Sequence, residues 1–266
     1  EFIHKGTPFY FWGMAAISRG ELDLGYALMH QALEEDIRTH NTDHPQTPAF
    51  AFAVLDYDNV NQAFRHWPLS LAEFLDGFLT SYCTSLNRTL QLDEFRTRFL
   101  VNPPSLDVVF LFAYTLGRFF LLDRGPDYAL RSGFAGQLET NLLFDLILVI
   151  DATIRAHNPG QRSFSMHAVF LSGQAKLGLN QQMLQEQVNQ AFESDFEAAL
   201  TNLLDRGFRF RDGSSPSPIA ADLAIAYGLR NYGAHNVSSM PAVWQRFLDM
   251  RQSLFNVLFL AVEVLC

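Results

Sequence analysis

Apolar residues recur at three- and four-residue spacing along most of the chain, and no segment sustains the strict alternation of a half-buried strand, so the pattern predicts an all-α protein. The first apolar stretch, Phe9 to Ala16, is followed by Gly20 and a second run from Tyr26 to Leu33, which reads as a helical hairpin. A polar, proline-containing stretch from Thr39 to Pro48 separates it from a middle region with helices expected at Ser70–Leu86, Gln91–Leu100 and Ser105–Leu122. Asn102-Pro103-Pro104 breaks the last two apart, because proline disfavours helical backbone in the residue before it. Further on, helices are expected over Gln137–Ala156 and Met183–Leu204. A third starts at the Ser217-Pro218 signal, where serine caps and proline suits the first helical position, and a fourth covers Val243–Leu265.

The helix that starts at Pro218 is small and apolar from Ile219 to Leu229 and then turns polar, as Arg230-Asn231-Tyr232-Gly233-Ala234-His235. Burying such a polar run without a use is costly. Arg230 is a permanent planar cation suited to phosphate, and His235 is a base that titrates near neutral pH. For RNA the two suffice chemically: the base draws the proton from a 2′-hydroxyl, and the cation stabilises the charge that builds on the phosphoryl group. Five residues on one helix are separated by about 7.5 Å of rise and roughly 140° of azimuth, so a single straight helix does not aim both side chains at one atom. Either the long, flexible Arg230 curls toward His235, or two copies of the helix meet across a two-fold axis and gather the pairs in one cleft; the second is favoured here and predicts a homodimer. Asn231 is placed to hold the imidazole or the phosphate.

These residues resemble the RxxxxH signature of HEPN domains (higher eukaryotes and prokaryotes nucleotide-binding), including the polar residue directly after the arginine. The resemblance covers the chain from about residue 126 onward and implies a HEPN-like helical bundle that dimerises. Its catalytic members are metal-independent endoribonucleases, so Arg230 and His235 would be catalytic, Asn231 auxiliary, and no cofactor or metal required. Family members often add an acidic residue from another helix. Asp145, which interrupts the apolar run from Leu142 to Ile150, is the candidate here. Such proteins work in defence, toxin–antitoxin or RNA-processing settings. The N-terminal hairpin is similar to a tetratricopeptide repeat, with Phe9, Gly13, Gly20 and Ala32 at its aromatic, small and turn positions, although Gly25 and Ile37 depart from it. The chain is thus expected to divide into a helical N-terminal region, 1–125, able to hold a protein partner or regulator, and a HEPN-like bundle, 126–266.

Composition adjusts this picture in a few places. With 266 residues and 48% hydrophobic residues the chain can bury a large core, and its 25 phenylalanines, many at helical spacing, read as packing. No run reaches the roughly 18 apolar residues of a membrane span, and no secretory or transit signal is visible. Two cysteines, Cys83 and Cys266, suit a reducing compartment, so a cytoplasmic location is expected. The net charge of −9 argues against broad nucleic-acid binding. It is unevenly spread: residues 1–156 hold 11 Lys/Arg against 19 Asp/Glu, residues 157–266 hold 8 against 9. The nearly neutral part also contains Arg206-Gly207-Phe208-Arg209-Phe210-Arg211, whose alternating cations and rings suit single-stranded RNA, against the slightly favoured reading of a solvated hairpin or turn before Asp212-Gly213. His40, Asp43 and His44 in the polar stretch lack further partners for a metal site.

Two other functions fit the residues. One is a non-catalytic helical module binding RNA or protein, with Arg230 and His235 bridging polar groups at an interface. The other is a partner of a nucleotidyltransferase, modified at Tyr232.

Overall fold

The computed structural model describes residues 5–40, 47–103, 105–124, 133–233 and 245–266, with the side chains of α7, defined below, described from Thr140 on. Their regular structure is all helical, with no strand among the described residues. The helices are α1 (Gly6–Ser18), α2 (Leu22–His40), α3 (Pro48–Ala53), α4 (His66–Leu86), α5 (Leu92–Phe95), α6 (Leu106–Asp123), α7 (Gly133–His157), α8 (Phe164–Gln174), α9 (Asn189–Ser194), α10 (Phe196–Leu204), α11 (Pro218–Tyr232) and α12 (Phe247–Leu265). Two stretches, Arg96–Val101 and Met183–Val188, are π-helical. None of the described helices is long and apolar enough to cross a membrane.

The chain forms two compact units, Glu1–Gly77 with Leu92–Gly125, and Phe78–Gln91 with Pro126–Cys266. In the first, α1 and α2 form a hairpin about a turn at Gly20, whose φ of 80° is left-handed. The two helices approach closely because two glycines face each other. A Cβ on Gly13 would lie 2.9 Å from the Gly25 carbonyl oxygen, and one on Gly25 would lie 2.4 Å from Ile17. Gly25, a departure from the tetratricopeptide pattern, is therefore what this helix crossing requires. Thr47 caps α3 by accepting a hydrogen bond from the Phe50 amide, and Ser105 caps α6 from the Val108 amide. Aromatic rings fill the unit: Phe95, Phe99 and Phe112 pack together, Trp67 meets Phe120 edge-on, and the Trp67 indole donates to the Tyr26 hydroxyl at 3.2 Å.

In the second unit α11 is the central rod, packed against α7, α8, α9, α10 and α12. Its eleven residues from Ile219 to Leu229 are all buried, and the alanines and Gly228 among them let its neighbours, the π-helical stretch Met183–Val188 included, close around it. The start matches the sequence signal, with Ser217 accepting from the Ala220 amide and Pro218 in the first turn. The end of α4 belongs here too: Phe78 stacks on Phe255 at 4.2 Å, and the Tyr82 hydroxyl donates to Glu263 at 2.6 Å.

Several helices differ from the sequence expectation. Met183–Leu204 is not one helix: a π-helical segment leads into α9, and the chain extends at Asp195 (φ −157°, ψ 99°) before α10 begins. Asp195 ends one helix and caps the next, its carboxylate accepting from the Ala198 amide at 2.9 Å. Gln91–Leu100 is a single α-turn followed by the first π stretch. Helices α3 and α8 add to the expected set, and the last helix begins at Phe247, with 234–244 outside the described residues.

Candidate functional site

The polar end of α11 emerges from a buried stem. Leu229 is 2% exposed, whereas the next residue, Arg230, is exposed and has no hydrogen bond or ion pair with another described residue. Asn231 and Tyr232 are half-buried and turned to the protein. The Asn231 amide engages the Tyr227 hydroxyl together with Asn189, whose Oδ1 is buried without a partner among the described residues. Burial pushes the Tyr227 pKa up, and these amides act against that shift. The Tyr232 hydroxyl donates to Glu193 at 2.9 Å, and its ring lies parallel to Phe192 with centroids 6.2 Å apart. Burial first, then the Glu193 carboxylate, raise the Tyr232 pKa from 10.0 to about 12.

His235 lies outside the described residues, as does Ala234. Gly233 is described and buried, and a Cβ there would stand 3.0 Å from the Phe144 ring of α7. The neighbour of Phe144 in the chain, Asp145, is half-buried and already engaged. The segment of α7 that carries Asp145 therefore runs against the end of α11.

The three arginines of the 206–211 cluster do different things. Arg206 ends α10 in a left-handed conformation (φ 59°) and turns to the unit's interior, where its guanidinium meets Asp222 at 2.8 Å and the Pro218 carbonyl at 2.9 Å. Asp222 is fully buried in α11 and accepts two more hydrogen bonds, from Ser253 at 2.9 Å and Asn256 at 2.8 Å. Arg206 thus has a structural partner that the sequence pattern did not reveal. Arg209 is exposed and donates to the carbonyls of Arg206 and Phe208; Arg211 is exposed and reaches Gln190 at 2.6 Å. Arg211 sits in the turn closed by the Gly213 amide donating to the Phe210 carbonyl, and Arg209 directly precedes it.

A second buried polar group was missed in the sequence. His167 is wholly buried between the Asp151 carboxylate, 2.5 Å from Nδ1, and the Gln161 carbonyl, 3.2 Å from Nε2, while Arg155 caps the same carboxylate at 2.7 Å. With both ring nitrogens engaged and no exposed edge, this imidazole fixes α7 to α8 and is not available to a substrate. The signal that singled out Asp145, a charged residue inside an apolar run, also marks Asp222 and Asp151.

Chemically, the end of α11 offers one guanidinium without a partner among the described residues, flanked by an amide and a phenol held in place by the protein. No family model, curated protein or solved structure matches the chain.

Proposed function

We propose that the chain is an endoribonuclease that cleaves single-stranded RNA without a metal, using Arg230 and His235 of two copies of the chain across a homodimer interface. The observation that carries the reading is the exposed Arg230, without a partner among the described residues, at the end of a helix whose preceding eleven residues are all buried. The buried stem fixes where the side chain leaves the protein, and its exposed guanidinium is open to a phosphate, as electrostatic stabilisation of a transition state requires.

In this reading His235 takes the proton from a 2′-hydroxyl, the 2′-oxygen forms a bond to phosphorus, and the bond from phosphorus to the 5′-oxygen breaks. The leaving oxygen takes up a proton, and the products are a 2′,3′-cyclic phosphate and a 5′-hydroxyl. Arg230 faces the phosphoryl oxygens as charge builds there. Asn231, tied to Tyr227, orients rather than reacts, and Asp145 lies on the helix that borders this end of α11. Arg209 and Arg211 are the exposed cations left to guide the RNA strand, Arg206 being committed to Asp222. The first unit would serve a protein partner or regulator, in a defence, toxin–antitoxin or RNA-processing role.

The alternative, a non-catalytic binding module, draws support from Asn231 and Tyr232, which both face partners inside the chain. Incubation with labelled single-stranded RNA in excess EDTA separates the two. Cleavage leaving cyclic phosphate, and lost in both Arg230→Ala and His235→Ala, supports the enzyme; binding without cleavage supports the module.

A further inference from the structure

A groove of about 560 Å³ lies in the first unit between α2 and α6, within the size range of small-molecule sites. Its lining residues follow helical spacing on both walls. Asp23, Tyr26, Ala27, His30, Gln31 and Glu34 form one stripe of α2, and Asp107, Phe110, Leu111 and Tyr114 form one stripe of α6. The floor is aromatic, with Tyr26 and Phe110 nearly buried. Tyr26 meets Tyr114 and His30 meets Phe110, both edge to face at centroid distances of 6.0 and 5.0 Å.

Charge is distributed along this groove in a pattern. Three carboxylates line it and no Lys or Arg does. Asp23 stands at one end, accepting from the Tyr114 hydroxyl at 2.5 Å, with Arg118 just beyond on the same hydroxyl at 3.0 Å. Glu34 and Asp107 stand towards the other end on either side of His30, at 3.7 and 3.2 Å from its ring nitrogens. Asp23 and Glu34 are eleven residues apart on α2, or about 16 Å along its axis. Between them lie Ala27, Phe110 and Leu111. Carboxylates at the ends and apolar and aromatic surface between them are the complement of ammonium groups joined by methylenes. The aromatic rings also attract cations through their negative faces. A metal ion does not match: no three of His, Cys, Asp and Glu converge as a metal cage among the described residues.

We propose that this groove binds a linear aliphatic polyamine, with its terminal ammonium groups at Asp23 and at Glu34/Asp107 and its methylenes over Ala27, Phe110 and Leu111. The site is independent of the ribonuclease reading.

Isothermal titration calorimetry of the full chain with spermine, spermidine and n-butylamine tests it, with Mg²⁺ as the competing ion. Saturable one-to-one binding of spermine is expected, weakening through spermidine to n-butylamine, with little displacement by Mg²⁺ at equal concentration. Glu34→Gln with Asp107→Asn should lower the affinity at least about tenfold, which is roughly 1.4 kcal/mol. Both side chains are mostly exposed, so the fold should survive, as circular dichroism would verify. Ala27→Trp, which blocks the groove without changing charge, should do the same. Asp58→Asn, an exposed carboxylate paired with Arg65 and not lining the groove, should leave binding unchanged. Absence of saturable binding overturns the proposal. So do multiple weak sites, Mg²⁺ competing as well as spermine, or equal loss in Asp58→Asn, since each describes a general acidic surface.

Discussion

Gly228→Ala should destabilise the second unit although it replaces the poorer helix former by the better one. In an unobstructed helix interior the change would stabilise by about 1 kcal/mol. At this position a Cβ would fall 2.2 Å from both Cε2 and Cζ of Phe192, whereas carbon atoms rest at about 3.5–4 Å. The ring would have to retreat by roughly 1.3 Å, the difference between the contact and the lower end of that range. It has little room: Phe192 is 2% exposed, with Phe196 at 5.4 Å and Tyr232 at 6.2 Å between ring centroids. Overpacking of a tight core costs about 1–3 kcal/mol and occasionally more. A contact this short belongs at the upper end, leaving a net loss of about 2 kcal/mol after the helix-propensity gain. Urea unfolding followed by far-ultraviolet circular dichroism measures it. Phe192→Leu should partly repair the variant, giving a coupling energy of at least about 1 kcal/mol in a double-mutant cycle. Gly173→Ala in α8, where nothing outside the local helix backbone lies within 4 Å of the added carbon, should leave stability unchanged or raise it by up to about 1 kcal/mol. A Gly228→Ala protein as stable as the parent, or additive energies in the cycle, would mean that Phe192 does not obstruct a Cβ at this position.

Other consequences of the structure can be measured in the same way. Asp222→Ala should cost about 3 kcal/mol, because Ser253 and Asn256 would lose a buried acceptor while the partly exposed Arg206 can turn to solvent; a loss under about 1 kcal/mol would mean that the network relaxes freely. Arg230→Ala should change stability by less than about 0.5 kcal/mol, since the side chain is exposed and unpaired among the described residues, and a larger drop would assign it a structural role. Tyr232 has its pKa raised from 10.0 to about 12, so its contribution to stability is intact below pH 10, where both folded and unfolded chains keep the proton, and is lost as pH rises through 12. Tyr232→Phe should therefore show a shallower fall in denaturation midpoint over that window; an identical pH dependence in the two proteins would contradict the assignment.

The all-helical fold was legible because the apolar spacing is a direct image of the helix surface that is buried. Ser217 with Pro218, and Ser105 after the proline pair, mark helix starts that the backbone adopts, since these signals act within one turn. The abundance of phenylalanine as packing was legible for the same reason, with Phe50, Phe52, Phe95, Phe99, Phe112, Phe119, Phe192, Phe255 and Phe259 fully buried. The break at Asp195 was not, because apolar periodicity continues through it on both sides and only the aspartate's capping geometry reveals the stop. Pairings across the chain were also hidden. Arg206 meets Asp222 sixteen residues away, and Phe78 meets Phe255 after an interval no local pattern encodes. Of the candidate site, Arg230 was found from a change of polarity along a helix, and its exposure follows from that change. The fixed roles of Asn231 and Tyr232 depend on Tyr227, Asn189 and Glu193, which only folding brings alongside.

The proposed ribonuclease site, Arg230 with His235, is tested most directly by cleavage itself. Purified protein should be incubated with fluorescent single-stranded RNA in excess EDTA beside its Arg230→Ala and His235→Ala variants, and the fragments and their 3′ ends resolved. Cleavage by the parent alone, leaving cyclic phosphate, is expected. Intact RNA in every lane with the folded parent, or cleavage that persists in both variants, would contradict it.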